Sequence, residues 1–464
     1  MISPLRPRFE PELIAKHGGA GPRYTSYPTA LQFHDQFGPS DWLKVLADSN
    51  QLLIPADLSL YVHVPFCASP CFYCGCNRVI TRSKTAGQEF LTHLERELDL
   101  VAPHIDHDRQ VRQVHLGGGT PTFLSSDQID QLVGLMKARF GFAEDAEIGL
   151  EVDPRSLEAS DIRQLHRTGF NRISIGVQDL DPDVQIAVNR IHDTARVASI
   201  LGAARAVGFD SISVDLIYGL PRQNTDAFAR TVDTIIDMRP DRISLFNYAH
   251  MPHLFKAQQR INADDLPAPS TKLALFRNSL NQFMDAGYEF IGMDHFALPD
   301  DDLSQARRDG SMVRNFQGYS THGGLDLLAF GPSAISQVGD GFAQNHRKLA
   351  DWQVSLIEGR LPIARGLVRS VEDRLRAEII STIMCTGELD FAVFGREHGL
   401  SFETCFADAL ARLQPLVEDG LIERTANGIR ATAEGLLFLR AVAMTFDSYL
   451  NLDGNSGKKF SRIV

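Results

Sequence analysis

Short apolar runs rich in β-branched residues alternate with longer amphipathic stretches between about residues 58 and 250. This alternation is typical of β-strand and α-helix units arranged around a parallel sheet. Helical periodicity is clearest over residues 127–140 and 161–169. Six strands are predicted, at LYVHVPF, VRQVHLGG, EIGLEVD, RISIGVQ, ISVDLIYG and RISLFNYAH. We therefore expect an α/β fold with a barrel-like sheet, either closed by later segments or open and partial.

The pattern changes twice after the sixth strand. Residues 288–336 hold one more strand candidate and then too many glycines for a helix, so irregular loops and short strands are expected there. After residue 371, helices precede two short strands around an Asn-Gly turn, an order like that of a winged helix. We divide the chain into an N-terminal extension (1–57), a barrel with its closing segment (58–370) and a small C-terminal helical, winged-helix-like domain (371–464).

Composition narrows the classes of protein. A chain of 464 residues with 44% hydrophobic and 22% charged residues can build a large core, which excludes disordered and disulfide-stabilised classes. Its formal net charge of -12 disfavours nucleic acid as a partner, so a structural or lid role is expected for the winged-helix-like region. The sequence shows no apolar run near the roughly 20 residues of a membrane span, and we expect a cytoplasmic protein.

Four of the six cysteines lie within ten positions, as Cys67, Cys71, Cys74 and Cys76. The first three form C-x3-C-x2-C directly after a predicted strand. Three thiolates on one short loop can hold three irons of a 4Fe-4S cluster and leave the fourth iron open. Structural zinc and redox-active thiols are the alternatives, although zinc ribbons usually separate their cysteine pairs by a dozen or more residues. The two remaining cysteines, Cys385 and Cys405, are expected to be buried structural thiols.

Polar residues and glycines follow several predicted strands. Because functional groups in such folds gather at the carboxyl ends of the strands, these residues should converge on one rim. Solvated strand ends and helix caps are the alternative, and Asp153 before Pro154 is predicted to be a helix N-cap. The rim candidates are Gly117, Gly118, Gly119 and Thr120 after the second strand, and Glu151, Gln178 and Asp215 at the ends of the third, fourth and fifth.

The segment YVHVPFCASPCFYCGCN resembles the radical S-adenosylmethionine (SAM) superfamily, and in particular the oxygen-independent coproporphyrinogen III oxidases. The resemblance extends over nearly the whole chain, through GPRYTSYPTA, HLGGGTPTFL, LEVDPR, ISIGVQD, VNRIHD, VDLIYGLP and RNFQGYSTH. The three-cysteine spacing marks the superfamily as a whole. Cys76 and the YPT-containing extension are more specific, because a haem chaperone or other non-oxidase relative usually lacks both. A DNA-binding regulator with a cluster sensor is a more distant alternative.

The resemblance implies a partial TIM-type (β/α)6 barrel and a radical reaction. Cys67, Cys71 and Cys74 would hold the cluster, and SAM on the open iron would be cleaved to a 5'-deoxyadenosyl radical. Hydrogen abstraction from two propionates of coproporphyrinogen III, each followed by loss of carbon dioxide and one electron, would give protoporphyrinogen IX in haem biosynthesis. An external electron donor, an electron acceptor and a monomeric enzyme are also implied. Cys76 would be required for catalysis without binding the cluster.

The resemblance also implies which residues bind the cofactors, including two molecules of SAM. Gln178, Arg190 and Asp215 fall at positions ascribed to the second SAM. Since coproporphyrinogen carries four propionates, cations are needed, and Arg23, Arg314 and Gln317 are candidates for the substrate pocket. The complete set of cofactor-binding candidates is Tyr61, Tyr73, Gly117, Gly118, Gly119, Thr120, Glu151, Gln178, Arg190, Asp215, Ala249 and Ile335.

Overall fold

The six predicted strands are present in the computed structural model, which describes residues 6–450 and 460–463. The strands of their sheet are β1 Leu58–Val64, β2 Gln110–Gly118, β3 Gly141–Val152, β4 Arg172–Gln178, β5 Ser211–Tyr218, β6 Arg242–Asn247, β7 Asp326–Phe330, β8 Ile335–Val338, β9 Gly341–Asn345 and β10 Ile363–Val368. They lie side by side in the order β10-β9-β8-β7-β1-β2-β3-β4-β5-β6. The strands from β7 through β1 to β6 pair in parallel, and those from β7 to β10 pair antiparallel. The predicted partial barrel is confirmed.

Burial of both faces explains the nearly continuous apolar runs of the parallel strands. In β1, Leu58, Leu60, Val62 and Val64 on one face are fully buried, and Ser59 on the other face is buried as well. Parallel strands covered by helices on both sides are expected to show this pattern rather than strict alternation. The sheet is therefore the core of its unit, and its strand ends are held rigidly.

Amphipathic helices cover the sheet. Ser126–Lys137 begins with a capping box in which Ser125 and Gln128 satisfy each other's backbone amides, and it buries Ile129 and Leu132. Ala159–Thr168 ends at Gly169, whose φ of 111° only glycine adopts readily. Both helices were predicted from their periodicity. The others in this unit are Pro39–Asn50, Ala86–Val101, Pro182–Ala187, Thr194–Val207, Thr225–Met238, Leu349–Ile357 and most of Pro269–Asp285.

The described residues divide into two compact units. The larger holds Phe33–Asn278 and Gly324–Val368, and the smaller holds the described residues up to Gln32, Ser279–Gly323 and those from Arg369 onward. This grouping does not follow the boundaries drawn at residues 57 and 370. The division into three consecutive domains stays a prediction, and its residues 1–5, 451–459 and 464 lie outside the described chain.

The smaller unit contains the expected winged-helix-like region. Glu388–Asp390, Gly428–Ala431 and Ile422–Arg424 form a three-stranded antiparallel sheet, and the last two flank the predicted Asn-Gly turn. Two further antiparallel pairs join Glu289–Gly292 to His295–Ala297 and Val313–Asn315 to Gly318–Ser320. The helices are Pro11–His17, Asp302–Asp309, Val371–Thr386, Phe391–His398, Phe402–Cys405, Ala407–Glu418 and Leu439–Met444.

Two details differ from the sequence-based expectations. Cys385 is buried as predicted, but Cys405 is exposed, so the expectation of a buried thiol was wrong there. Cys405 ends a helix of four residues, which is too short for periodicity to show which side faces the core. Strand β3 also begins at Gly141, six positions before the predicted EIGLEVD. Within the described part of the chain, every helix is too short or too polar to span a lipid bilayer.

Candidate active site

A cavity lies at the carboxyl ends of the parallel strands, entirely within the larger unit. The loop after β1 contributes the cysteines, the loop after β2 contributes Gly118, Gly119 and Thr120, and β3 to β5 contribute polar side chains near their ends. The chain thus brings these segments together although they are far apart in sequence. The lining residues are Cys67, Ser69, Cys71, Tyr73, Cys74, Cys76, Arg78, Gly118, Gly119, Thr120, Glu151, Val152, Asp153, Arg155, Ser174, Gly176, Gln178, Arg190, Asp215 and Phe246.

The spacing of the cysteine sulfurs fits a cluster better than one zinc ion. All four line the cavity; Cys71 is buried, Cys67 and Cys74 are half-buried, and Cys76 is exposed. Four thiolates around zinc, with bonds of about 2.3 Å, would place sulfurs roughly 3.8 Å apart. Among described residues, only Glu378, Glu397 and His398 of the smaller unit bring three possible ligand atoms within 4.8 Å of one another. A 4Fe-4S cluster instead spreads three cysteines over three irons.

Two arginines hold a positive charge against Cys71. Arg155 Nη2 and Arg190 Nη1 each donate a hydrogen bond to Cys71 Sγ at 3.3 Å. Asp153 accepts hydrogen bonds from both guanidinium groups. Burial by itself would raise the pKa of Asp153, but the charge of Arg190 and the hydrogen bonds from Arg155 hold it at about 2. Asp153, ionised at neutral pH, therefore fixes two cations beside Cys71, the most buried of the four clustered cysteines.

The glycine-rich loop packs directly on the cysteine strand. Gly119 N donates to Val64 O at 2.8 Å, and Thr120 Oγ1 lies 3.4 Å from Cys67 Sγ. Gly118 has a φ of 109°, a left-handed conformation in which a side chain would be strained. The loop has no space for side chains because two backbone segments meet there.

Alanine at Gly119 should disturb this contact. A Cβ there would lie 2.7 Å from Phe66 O and 2.9 Å from Pro65 O, both backbone atoms of the segment that leads into Cys67. We expect Gly119→Ala to destabilise the protein by about 1–3 kcal/mol through overpacking and to weaken SAM binding. Thermal unfolding and SAM titration measure the two effects. The matched control is Gly134→Ala, inside a helix with open space around the new Cβ, and an equal loss in both variants would contradict the explanation.

Two carboxylates give the cavity a site for a cation. Glu151 accepts a hydrogen bond from Gly118 N at 3.3 Å and lies 3.5 Å from His115 Nε2. Burial and the nearby charge of Glu151 raise the pKa of Asp215 to about 7, although hydrogen bonds from Ser244 and Ser174 lower it. An amine or a sulfonium would relieve the repulsion between the two carboxylates.

Gln178 adds an unsatisfied acceptor to the same wall. Its Oε1 is buried without a hydrogen-bond partner among the described residues, and its backbone has a φ of 72°. Buried polar atoms are rarely left unpaired unless a ligand or water satisfies them. By contrast, Arg190 donates from all three guanidinium nitrogens to Gly176 O, Asp153 and Cys71. Its hydrogen bonds make it a support for Cys71.

Four of the candidates drawn from the resemblance do not line the cavity directly. The ring of Tyr61 stacks on His115, and its hydroxyl lies 3.1 Å from His63 Nδ1. Gly117 lies between Tyr61 and Glu151, where a Cβ would approach both side chains at 3.0–3.2 Å. Ala249 accepts a hydrogen bond from Gln258 Nε2 through its carbonyl, and Ile335 begins β8. None of these four is among the lining residues, whereas Tyr73 is.

Some lining residues were missed by the sequence reasoning. Ser174 and Gly176 precede Gln178 at alternate positions of β4, so the two-residue period of a strand places them on the same side. Arg155 follows Asp153 in the EVDPR segment, close to a strand end that was already singled out. Arg78, which donates to the carbonyls of Cys71 and Cys74, gave no such signal because it binds by folding back along its own loop.

Comparisons with known proteins agree with the site. A model of the radical SAM superfamily matches residues 61–235, and a model of the HemN C-terminal domain matches residues 370–438. The barrel and its three-cysteine loop thus define a radical SAM protein. The solved structure of coproporphyrinogen III oxidase (HemN) from Escherichia coli, a radical SAM enzyme, superposes with a TM-score of 0.91 at 42% identity, covering 96% of this chain and 100% of that one.

Relatives of nearly equal length establish the family. The oxygen-independent coproporphyrinogen III oxidase of Pseudomonas aeruginosa is 47% identical, over 98% of this chain and 99% of the relative. The protein of the same name from Escherichia coli K12 is 43% identical, over 97% and 98%. This chain belongs to the family of oxygen-independent coproporphyrinogen III oxidases. Membership in the radical SAM superfamily implies a 4Fe-4S cluster and SAM as cofactors.

Proposed function

We propose that this protein converts coproporphyrinogen III to protoporphyrinogen IX by oxidative decarboxylation of two propionates, in haem biosynthesis. The observation that carries the proposal is a cavity that combines three cysteines, two carboxylates and a glycine-rich loop. The chain that forms it is related over 98% of its length to an oxygen-independent coproporphyrinogen III oxidase. Each propionate would lose a hydrogen atom, then carbon dioxide and one electron, and leave a vinyl group.

The residues of the cavity would divide the work of binding the cofactors. Cys67, Cys71 and Cys74 would hold the cluster, and Glu151 with the backbone of the glycine-rich loop would bind the amino and carboxylate groups of SAM. When bound, the cluster and SAM supply a 5'-deoxyadenosyl radical that can abstract hydrogen from a propionate β-carbon. The buried loop would exclude water from this reactive species.

A second SAM would bind along β4 and β5. The unpaired Gln178 Oε1 and the buried Asp215 carboxylate support this part of the proposal, because both offer acceptors to a ligand with a positive charge. Arg190 would contribute by fixing Cys71 and the backbone of β4 rather than by a hydrogen bond of its own to the ligand.

Binding of SAM should depend on pH through Asp215. Its pKa is about 7, so the carboxylate loses its charge, and its attraction for a cation, as pH falls through that value. Glu151 and Arg190 are the charged groups that act on it. We expect the Kd for SAM to rise severalfold from pH 8 to pH 6 in the reconstituted enzyme, and Asp215→Asn to flatten this dependence. An identical pH profile in the variant would contradict the assignment.

Cys76 would act on the substrate side of the cavity. It is exposed at the cavity wall, and its backbone amide donates to Cys74 Sγ at 3.4 Å. We propose that Cys76 is required for turnover but does not hold the cluster. In Cys76→Ser the iron content and the cluster absorption would then be normal while protoporphyrin formation falls. Full turnover in that variant would overturn this role.

Arg314 and Gln317 are the better candidates for the substrate propionates. Arg314 stacks on Tyr319 at 4.6 Å, and its Nη1 is buried without a hydrogen-bond partner among the described residues, as is Gln317 Nε2. Arg23 instead forms two hydrogen bonds with Asp294 at 2.7 and 2.9 Å, which neutralise its charge. Two unsatisfied donors fit a carboxylate acceptor.

Replacing Arg314 should therefore affect the porphyrinogen rather than SAM. A hydrogen bond to a charged group contributes about 1.5–3 kcal/mol, which corresponds to roughly a 10- to 100-fold change in binding. We expect Arg314→Gln to raise the KM for coproporphyrinogen III by that factor while the Kd for SAM is unchanged. Arg396→Gln, at an exposed position of the same unit, is the charge-matched control. A normal KM in Arg314→Gln would exclude a propionate contact.

An anaerobic assay tests the whole proposal. The reconstituted enzyme is given SAM, dithionite and coproporphyrinogen III, and 5'-deoxyadenosine and protoporphyrin are followed together. Formation of both supports the oxidase. Deoxyadenosine without protoporphyrin would keep the radical chemistry and point to a wrong substrate or a missing electron acceptor. If protoporphyrin is still absent after a one-electron acceptor is added, the substrate is overturned. Haem binding without either product would favour a chaperone. The external electron donor and acceptor, the monomeric state and the cytoplasmic location stay predictions.

A further inference from the structure

Two segments contain no carboxylate; one includes the cysteine loop and the other packs on it. Residues 58–88 and 242–263 lack both Asp and Glu, although Asp and Glu make up 58 of the 464 residues and exceed Lys and Arg by 12. Both segments carry exposed basic side chains. These are Arg82 and Lys84 in the first segment and Lys256 and Arg260 in the second.

Both basic segments contact the loop that carries the cysteines. The first continues directly from it, and Thr81 N donates to Cys67 O at 3.0 Å. The second packs on it, since Gln258 Nε2 donates to Tyr73 O at 2.9 Å and the Arg260 guanidinium lies 5.3 Å from the centre of the Phe72 ring. Both segments that carry the exposed cations are therefore in contact with the cysteine loop.

The same two segments expose apolar side chains, and the cysteine loop exposes Gly75. Ile80 is 44% exposed and Leu254 is 57% exposed. A third segment that contacts the loop, residues 179–193, carries the exposed Asp183 and Asp193, so these carboxylates lie on a different segment from the cations. The basic surface, defined by Ile80, Arg82, Lys84, Leu254, Lys256 and Arg260, thus combines a small apolar centre with cations.

We infer that the basic surface docks a small acidic one-electron carrier protein that reduces the cluster. The inference rests on the proposed function, which requires an electron from outside the chain. A protein with a net charge of -12 would otherwise repel an acidic carrier, and a local cluster of cations beside the cysteines reverses the sign at the place where the electron must enter. Transient redox complexes bury little surface, so a compact patch suffices.

Charge reversal on this surface should slow reduction by a protein and not by a chemical. The probe is an acidic flavodoxin in its hydroquinone state, and the variants are Arg82→Glu/Lys84→Glu and the same pair with Lys256→Glu. Electrostatic steering changes association rates by about 10- to 1,000-fold, so we expect at least a tenfold lower rate of deoxyadenosine formation at low salt. With dithionite the variants should match the wild type in rate and in KM for coproporphyrinogen III.

A matched control and the salt dependence complete the test. Lys44→Glu/Arg163→Glu makes the same charge change at exposed positions of helices elsewhere in the unit and should keep the normal rate with flavodoxin. Added salt should slow the wild type toward the rate of the variants. The inference would be overturned if the charge-reversal variants matched the wild type with flavodoxin, or lost as much activity with dithionite as with flavodoxin. It would also be overturned if their KM for the porphyrinogen rose, or if flavodoxin failed to reduce a wild-type enzyme that is active with dithionite. No activity with dithionite would instead refute the proposed function.

Discussion

Serine at Cys67, Cys71 or Cys74 should each reduce the formation of deoxyadenosine and protoporphyrin to background. All three thiols line one cavity, and a hydroxyl is a poor ligand for the iron of a 4Fe-4S cluster. Loss of any one ligand would remove the site at which SAM is cleaved. Iron and sulfide content, cluster absorption and product formation in the reconstituted variants measure the effect.

Two other cysteines serve as controls for this result. Cys405→Ser changes an exposed thiol in the smaller unit and should have normal cluster content and turnover. Cys76→Ser should keep the cluster and lose turnover, which separates a residue needed for the reaction from a ligand. A Cys74→Ser enzyme with full cluster content, or a Cys76→Ser enzyme without a cluster, would reverse the assignment of these two neighbours.

Glutamine at Glu151 should raise the Kd for SAM by about 10- to 100-fold. The carboxylate faces the cavity beside the glycine-rich loop, where Gly118 N donates to it. A hydrogen bond to an ionised group contributes about 1.5–3 kcal/mol, and the amide keeps the shape of the side chain without its charge. Titration of SAM into the reconstituted variant, followed by calorimetry, gives the change directly.

The matched substitution is Glu158→Gln. This glutamate is the exposed N-cap residue of the helix Ala159–Thr168 and pairs with Arg196 at 2.9 Å on the surface. Its replacement removes the same charge a few residues after Glu151, and surface ion pairs of this kind contribute little. SAM affinity should be unchanged. An equal loss in both variants would show that the net charge of the region, rather than Glu151, determines binding.

The strands and the cysteine loop were predictable because their signals are local. An apolar run of seven residues such as β1 is buried whichever neighbours it acquires, and parallel strands place their carboxyl ends at one edge. Gln178 was singled out for this reason, and Ser174 on the same side follows from strand periodicity. Family resemblance then added roles that no pattern of polarity contains, as for Tyr61 and Ile335.

Other features depend on which segments meet. The apolar run of β7 lies in a stretch expected to form irregular loops and short strands, and its place beside β1 is decided by pairing across more than 260 residues. Arg155 and Arg190 meet at Cys71 from different loops, and no local pattern in either segment signals that contact.

By itself the sequence determined the six strands, two of the helices between them and the cysteine loop, because each follows from short-range periodicity or from residue type and spacing. The spacing of the cysteines favoured a cluster over zinc, and the family resemblance supplied the reaction. The tertiary structure alone decided that Asp153 fixes two cations against Cys71, that all three guanidinium nitrogens of Arg190 donate to protein, and that basic segments from two distant parts of the chain both contact the cysteine loop. These features arise when distant segments are packed together, since burial and charge at a site depend on everything that surrounds it.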